Sequence, residues 1–84
     1  MNVKIKRLRD VEIPKYAHGP REDAGMDLRS AENVVLGGGE VQAVSTGLSM
    51  EIPPNFMGEV RTRSGLALQG IVVNNAPGTI DPSF

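Results

Sequence analysis

Alternation of apolar and polar residues with a period of two is the main pattern along this chain. In "GLSMEIPP", Leu48, Met50 and Ile52 share one face, with polar residues between them and two prolines after them. This is the pattern of a half-buried strand that ends at proline. The stretches "VKIKRL" and "GEVRTR" alternate in the same way, whereas helical periodicity is nearly absent. Three strands are therefore predicted from alternation alone.

Further strands are predicted around the glycine triplet at 37–39. "NVVL" precedes the triplet and "EVQAVS" follows it, which indicates two strands joined by a flexible turn. "GIVVN" is a continuous β-branched run and predicts a buried strand. These segments make about six short strands, which favours an all-β sandwich or barrel. A closed jelly roll needs about eight strands, so we expect an incomplete fold, either a fragment or a protomer completed by its neighbours.

Composition narrows the functional classes. The chain has 84 residues, 23% of them charged, with a net charge of −1 and no cysteine. It fits one domain and lacks the basic excess that binding to nucleic acid or an anionic membrane requires. Thiolate chemistry and cysteine-bound metals are excluded. No run approaches the ~20 apolar residues of a membrane span, so a soluble, cytoplasmic protein is expected.

Two stretches carry groups suited to phosphate or metal chemistry. In "AGMDLRS", Asp27 is either a surface aspartate beside a turn or a carboxylate that holds Mg²⁺ through water. In "RTRSGLA", Arg63 offers a planar fork for phosphate oxygens. Ser64 adds a hydroxyl, and Gly65 allows close approach of the main chain. The alternative for this second stretch is a solvated strand end running into a turn.

A third stretch, "VNNAPGTIDPSF", combines a turn with a carboxylate and an aromatic ring. Asn75 and Gly78 flank a strong turn signal, and a hairpin there would offer backbone groups to a planar ligand. Asp81 can take a proton from water, and Phe84 can stack on a ring. An ordinary turn followed by a core aromatic is the alternative. His18, the only histidine, has no second ligand at metal-binding spacing.

Each stretch is weak alone, but their order and spacing together carry a resemblance. "PKYA", "AGMDL", "STGLSMEIP", "RSGLA" and "APGTID" follow one another in the chain. With these motifs the sequence resembles the trimeric dUTP pyrophosphatase (dUTPase) family along almost its whole length. The resemblance implies a jelly-roll β fold and a homotrimer with active sites shared between subunits. It also implies cleavage of dUTP to dUMP and pyrophosphate with Mg²⁺.

The resemblance implies roles for the first two motifs. Asp27 matches the aspartate that supports the metal through water. Arg63, Ser64 and Gly65 match residues that contact the triphosphate.

It implies roles for the third motif as well. Asn75 and Gly78 fall in the hairpin that reads uracil through its backbone, and Asp81 matches the aspartate that orients or deprotonates the attacking water. Phe84 stands where the family usually has tyrosine, and its ring can still stack on deoxyribose and exclude a ribose hydroxyl.

The resemblance leaves two alternatives open. "IDPSF" is similar to the corresponding motif of dCTP deaminases, so a deaminase or a bifunctional relative is a second hypothesis. The chain carries two of the five dUTPase motifs and most of a third, so residues 1–84 are expected to form the N-terminal part of one domain whose C-terminal motifs are missing. An inactive fragment that binds nucleotide, or assembles with a completing polypeptide, is the third hypothesis.

Overall fold

The computed structural model describes residues 2–84, which form four short strands and one helical turn. The elements are β1 (Lys4–Arg7), β2 (Leu48–Glu51), β3 (Gly58–Val60), α1 (Ser64–Ala67) and β4 (Gly78–Ile80). The chain divides into two compact units. One is Ile5–Ser49, and the other comprises 50–84 with the start of the chain up to residue 4.

Strands β1 and β2 pair in a two-stranded sheet, and both confirm the predicted alternation. Along β2, Leu48 and Met50 are half-buried, whereas Ser49 and Glu51 are exposed. Along β1, Ile5 is half-buried between exposed lysines. Because successive strand residues point to opposite faces, one face of each strand carries the apolar side chains.

Strands β3 and β4 form an antiparallel ribbon in the unit that contains 50–84. Gly58 lies opposite Ile80, and Val60 lies opposite Gly78. A Cβ on Gly58 would meet Ile80 Cβ at 3.1 Å and Ile52 Cδ1 at 3.4 Å, so the absence of a side chain lets the ribbon pack tightly. Ile52, 7% exposed, is the buried hydrophobic residue of the described chain.

The turn between β2 and β3 has a clear sequence cause. Phe56 N donates to Pro53 O at 3.2 Å, and Asn55 has a φ of 69°. Proline at the second position and asparagine with positive φ at the third are typical of a type II turn. Pro54 and Asn55 therefore end β2 and direct the chain toward β3.

Helix α1 was not predicted, and a glycine ends it. Gly70 has a φ of 83°, its N–H donates to Ala67 O at 3.0 Å, and Ile71 N donates to Leu66 O at 3.0 Å. These two bonds define a Schellman motif, in which glycine adopts the left-handed conformation without a Cβ penalty. The "RSGLA" stretch thus starts a helical turn, not only a loop.

Three predicted strands are wrong in detail. No strand ladder forms within the described residues at 33–36, 40–45 or 71–74, because β-branched residues supply strand propensity but a ladder also needs a partner. Gly78 begins β4 and is not the tip of a hairpin with 71–74, since β4 pairs with β3. The all-β class is confirmed, with no closed barrel in the part of the chain described here.

Candidate functional site

The β3–β4 ribbon determines where most of the predicted site residues lie. Because Val60 pairs with Gly78, the chain leaving β3 toward Arg63 and the chain entering β4 from Asn75 meet at the same end of the ribbon. At that end, a cleft of about 280 Å³ is lined by Glu59, Arg61, Thr62, Ala76 and Pro77. The predicted triphosphate segment and the predicted uracil segment are thus neighbours.

A side-chain hydrogen bond holds this end of the ribbon together. Thr62 Oγ1 accepts a hydrogen bond from Val73 N at 3.0 Å. Arg61 Nε lies 3.9 Å from Glu59 Oε1, and the two side chains are 79% and 41% exposed, so this ion pair adds little stability. No pattern in the sequence indicates a role for Thr62, because a hydroxyl residue in an alternating strand looks like any other polar position.

The segment 63–65 is open to solvent. Arg63 is extended, with φ −73° and ψ 133°, and directly precedes α1. Ser64 is exposed, and a Cβ placed on Gly65 would meet no atom within 4 Å. A ligand can therefore reach the main chain at Gly65 without moving a neighbour.

Asn75 and Gly78 lie close together. A Cβ on Gly78 would stand 3.5 Å from Asn75 Nδ2 and 3.7 Å from Val60 Cβ. Ala76 N donates to Val73 O at 3.1 Å, so the segment forms a turn that leads directly into β4. The Ala76–Pro77 peptide bond is cis.

Asp81 and Phe84 lie at the other end of β4. Three residues at about 3.3 Å each separate Gly78 from Asp81, roughly 10 Å along the strand. Asp81 is exposed, and its carbonyl accepts a hydrogen bond from Phe84 N at 3.1 Å. The Phe84 side chain is 96% exposed. Within one copy, the predicted base and the predicted triphosphate residues do not converge along this ribbon.

Asp27 belongs to the unit formed by Ile5–Ser49 and lines a cleft of about 380 Å³ there. Lys15 and Arg29 line the same cleft, together with Asp10 and Glu12. Magnesium keeps several waters and touches only one or two carboxylates, and six waters occupy roughly 180 Å³ at about 30 Å³ each. The cleft therefore has room for a hydrated ion beside Asp27. Among residues 2–84, no group of three histidine or acidic side chains is placed to ligate a metal directly.

The single histidine has a partner that the sequence did not indicate. Asp23 Oδ2 accepts a hydrogen bond from His18 N at 2.6 Å, and His18 Nδ1 lies 3.1 Å from Asp23 Oδ1. These hydrogen bonds, the backbone one first, lower the pKa of Asp23 below its ordinary value of 3.8. His18 therefore helps to close a surface loop.

The short strands and the exposed polar segments between them define a small β protein. The family model named dUTPase matches residues 10–84. The chain belongs to the dUTPase family.

Relatives named deoxyuridine 5'-triphosphate nucleotidohydrolase match the chain closely. The protein of Solibacter usitatus is 55% identical over all of this chain, which covers 58% of that relative. The protein of Crocosphaera subtropica is 48% identical, with 100% of this chain and 59% of the relative covered. The protein of Clostridium tetani is 46% identical, with 98% and 57% covered. The chain thus spans a little under three-fifths of the length of these relatives.

One further finding concerns membranes. Within the described part of the chain, no helix has the length and apolar character that crossing a bilayer requires.

Proposed function

We propose that this chain supplies the substrate-binding and water-activating residues of an enzyme that hydrolyses dUTP to dUMP and pyrophosphate. The observation that carries the proposal is the family match over residues 10–84, which includes every predicted site residue. The names of the three relatives support the substrate. Nothing in those names favours the deaminase alternative.

The proposed chemistry needs charge and alignment more than covalent help. The Arg63 guanidinium and the Ser64 hydroxyl bind the triphosphate, and Gly65 lets its main chain approach the phosphates. Magnesium held through water by Asp27 supplies neutralising charge when bound. Asp81 orients a water molecule and accepts its proton as that water attacks the α-phosphorus.

Residues of the third motif select the base and the sugar of the substrate. Main-chain groups of Asn75–Gly78 pair with uracil, because a fixed backbone edge matches uracil and leaves groups unpaired against cytosine. The Phe84 ring lies against deoxyribose and excludes a ribose hydroxyl.

We also propose a cytoplasmic homotrimer whose active sites are shared between subunits. The ribbon supports sharing, since Asp81 and Arg63 leave its opposite ends. Residues 1–84 are proposed to be the N-terminal part of one domain, in line with their 58% coverage of a relative.

Substitution of Asp81 tests the proposed base. In a fusion of this chain to the remaining part of the Solibacter relative, we expect Asp81→Asn to reduce kcat by at least about a hundred-fold and to leave dUTP affinity within about two-fold. Pyrophosphate release measures turnover, and calorimetry measures binding. Glu22→Gln serves as the control, because Glu22 is exposed and lines neither cleft. Unchanged turnover in Asp81→Asn, or ammonia released from dCTP by the parent, contradicts the proposal.

A further inference from the structure

Two hydrogen bonds at Val73 connect the end of β3 to the turn 73–76. Val73 N donates to Thr62 Oγ1 at 3.0 Å, and Val73 O accepts a hydrogen bond from Ala76 N at 3.1 Å. Thr62 lies just beyond the end of β3, and Ala76 lies just before the start of β4. Val73 therefore links the hydroxyl group of Thr62 to the backbone of the turn.

The same short piece of chain, 60–62, holds both ends of the segment that contains this turn. At the C-terminal end, Gly78 lies opposite Val60 in the β3–β4 ribbon. At the N-terminal end, no strand ladder includes 71–74 within residues 2–84. A side-chain oxygen of Thr62 thus accepts the Val73 N–H, which a strand partner would otherwise have to satisfy.

Threonine is suited to this position by its shape. Thr62 is half-buried, and it is β-branched and therefore stiff at χ1, so its hydroxyl oxygen keeps a fixed direction. Valine has nearly the same shape without the oxygen, so Thr62→Val leaves the Val73 N–H without this acceptor. Removal of one hydrogen-bond partner shifts a conformational equilibrium by roughly two- to ten-fold.

We propose that Thr62 is a positioning residue for base selection, because its hydroxyl fixes the turn that leads into the main chain of Asn75–Gly78. This role rests on the proposed function, in which that main chain pairs with uracil. A turn with one loose end presents its backbone groups in several orientations, so it distinguishes uracil from cytosine less well. Thr62 acts through Val73, and the proton transfer proposed for Asp81 should not depend on it.

Kinetics of the fusion enzyme test this role. In Thr62→Val, we expect the KM for dUTP to rise about three- to ten-fold. The inhibition constant of dCTP should change by less than about two-fold, because cytosine gains little from the positioned turn. The kcat for dUTP should stay within about two-fold and its pH profile should not move, since Asp81 remains in place.

Two further variants serve as controls. Thr62→Ser retains the hydroxyl group and should restore the KM for dUTP to within about two-fold of the parent value. Thr79→Val is the matched control, since Thr79 is an exposed threonine in β4 that lines neither cleft. It should leave both the KM for dUTP and the dCTP inhibition constant unchanged.

Amide hydrogen exchange of the unliganded fusion tests the hydrogen bond separately from activity. The Val73 amide should exchange about two- to ten-fold faster in Thr62→Val than in the parent, and at the parent rate in Thr62→Ser. Unchanged exchange in Thr62→Val, or equal increases in KM for the valine and serine variants, overturns the proposal. A fall in kcat with unchanged selectivity indicates a merely structural role and also overturns it.

The parent fusion separates this proposal from the proposed function. A parent that does not hydrolyse dUTP refutes the proposed function, and the role of Thr62 in base selection with it. An active parent whose selectivity between dUTP and dCTP is the same in Thr62→Val refutes the role of Thr62 alone.

Discussion

Replacement of Gly47 by alanine should be one of the most destabilising small changes in the Ile5–Ser49 unit. Gly47 is buried and has a φ of 71°, and an added Cβ would stand 3.0 Å from Val11 Cγ1 and 3.3 Å from Ala31 Cβ. Val11 is β-branched and stiff at χ1, so it cannot rotate away cheaply. Two independent costs therefore apply at this position.

The magnitude follows from adding those costs. A left-handed conformation costs an L-residue about 1–2 kcal/mol, and overpacking costs about 1–3 kcal/mol. Gly47→Ala should therefore lose about 2–5 kcal/mol in free energy of unfolding. Gly39→Ala is the matched control, because Gly39 has a φ of 74° and an added Cβ there would meet nothing within 4 Å. It should lose only about 1–2 kcal/mol.

Urea unfolding and amide hydrogen exchange measure the difference in free energy of unfolding between the Gly47→Ala and Gly39→Ala variants. Leu8 N donates to Gly47 O at 2.8 Å, so the Leu8 amide reports opening of this packing directly, at about ten-fold in protection per 1.4 kcal/mol. Adding Val11→Ala to Gly47→Ala should recover part of the steric cost in a double-mutant cycle. Equal losses for the Gly47 and Gly39 variants, with no recovery on trimming Val11, would refute the steric reasoning.

Two further predictions concern the proposed site and the histidine loop. In the fusion enzyme, Phe84→Ala should relax discrimination against UTP by about ten-fold and discrimination against dCTP much less, while Phe84→Tyr retains both. An unchanged UTP/dUTP ratio of kcat/KM contradicts the stacking role. The pKa of Asp23 is lowered in the folded loop, so the ionised carboxylate stabilises the loop at pH values above the pKa of Asp23 in the unfolded chain. This stabilisation is lost as the pH falls through the lower pKa of the folded loop. The His18 amide shift should therefore titrate with a midpoint below 3.8, and Asp23→Asn should abolish that titration. A midpoint at or above 3.8 contradicts the hydrogen-bonding account.

Alternation predicted β1, β2 and β3 because each of these strands buries only one face. The exposure pattern of Leu48 to Glu51 repeats the apolar and polar letters one for one. The strands predicted at 33–36, 40–45 and 71–74 do not form, since β-branched residues indicate that a strand can form and not that a partner is present. The local sequence pattern does not indicate which segments, far apart in the chain, pair with one another.

The sequence contains local signals for the turn between β2 and β3 and for the end of α1. "PPNF" contains the proline and asparagine of a type II turn, and "LALQGI" contains the glycine of a Schellman motif. Helix α1 has only four residues, too few for a periodicity to be detected.

The arrangement of the candidate site depends on the register of the β3–β4 pairing, which cannot be predicted from the sequence pattern. Seventeen residues, 61–77, separate β3 from β4, so neither their pairing nor the match of Val60 with Gly78 is readable from a local turn. That register brings Thr62 and Pro77 to one cleft and carries Asp81 to the far end of the ribbon. The residue types of the site could be predicted, but their distribution between the two ends of the ribbon could not.

Strand pairing explains both the small hydrophobic core of the described chain and the exposure of residues in its predicted strands. Ile52 is buried because it lies against Gly58, beside the ribbon partner Ile80, so a hydrophobic residue is buried where a strand finds its partner. Val35, in an equally strand-like stretch, is 88% exposed where no ladder forms. The interior of this fold is therefore determined as much by which strands are available as by which residues are apolar.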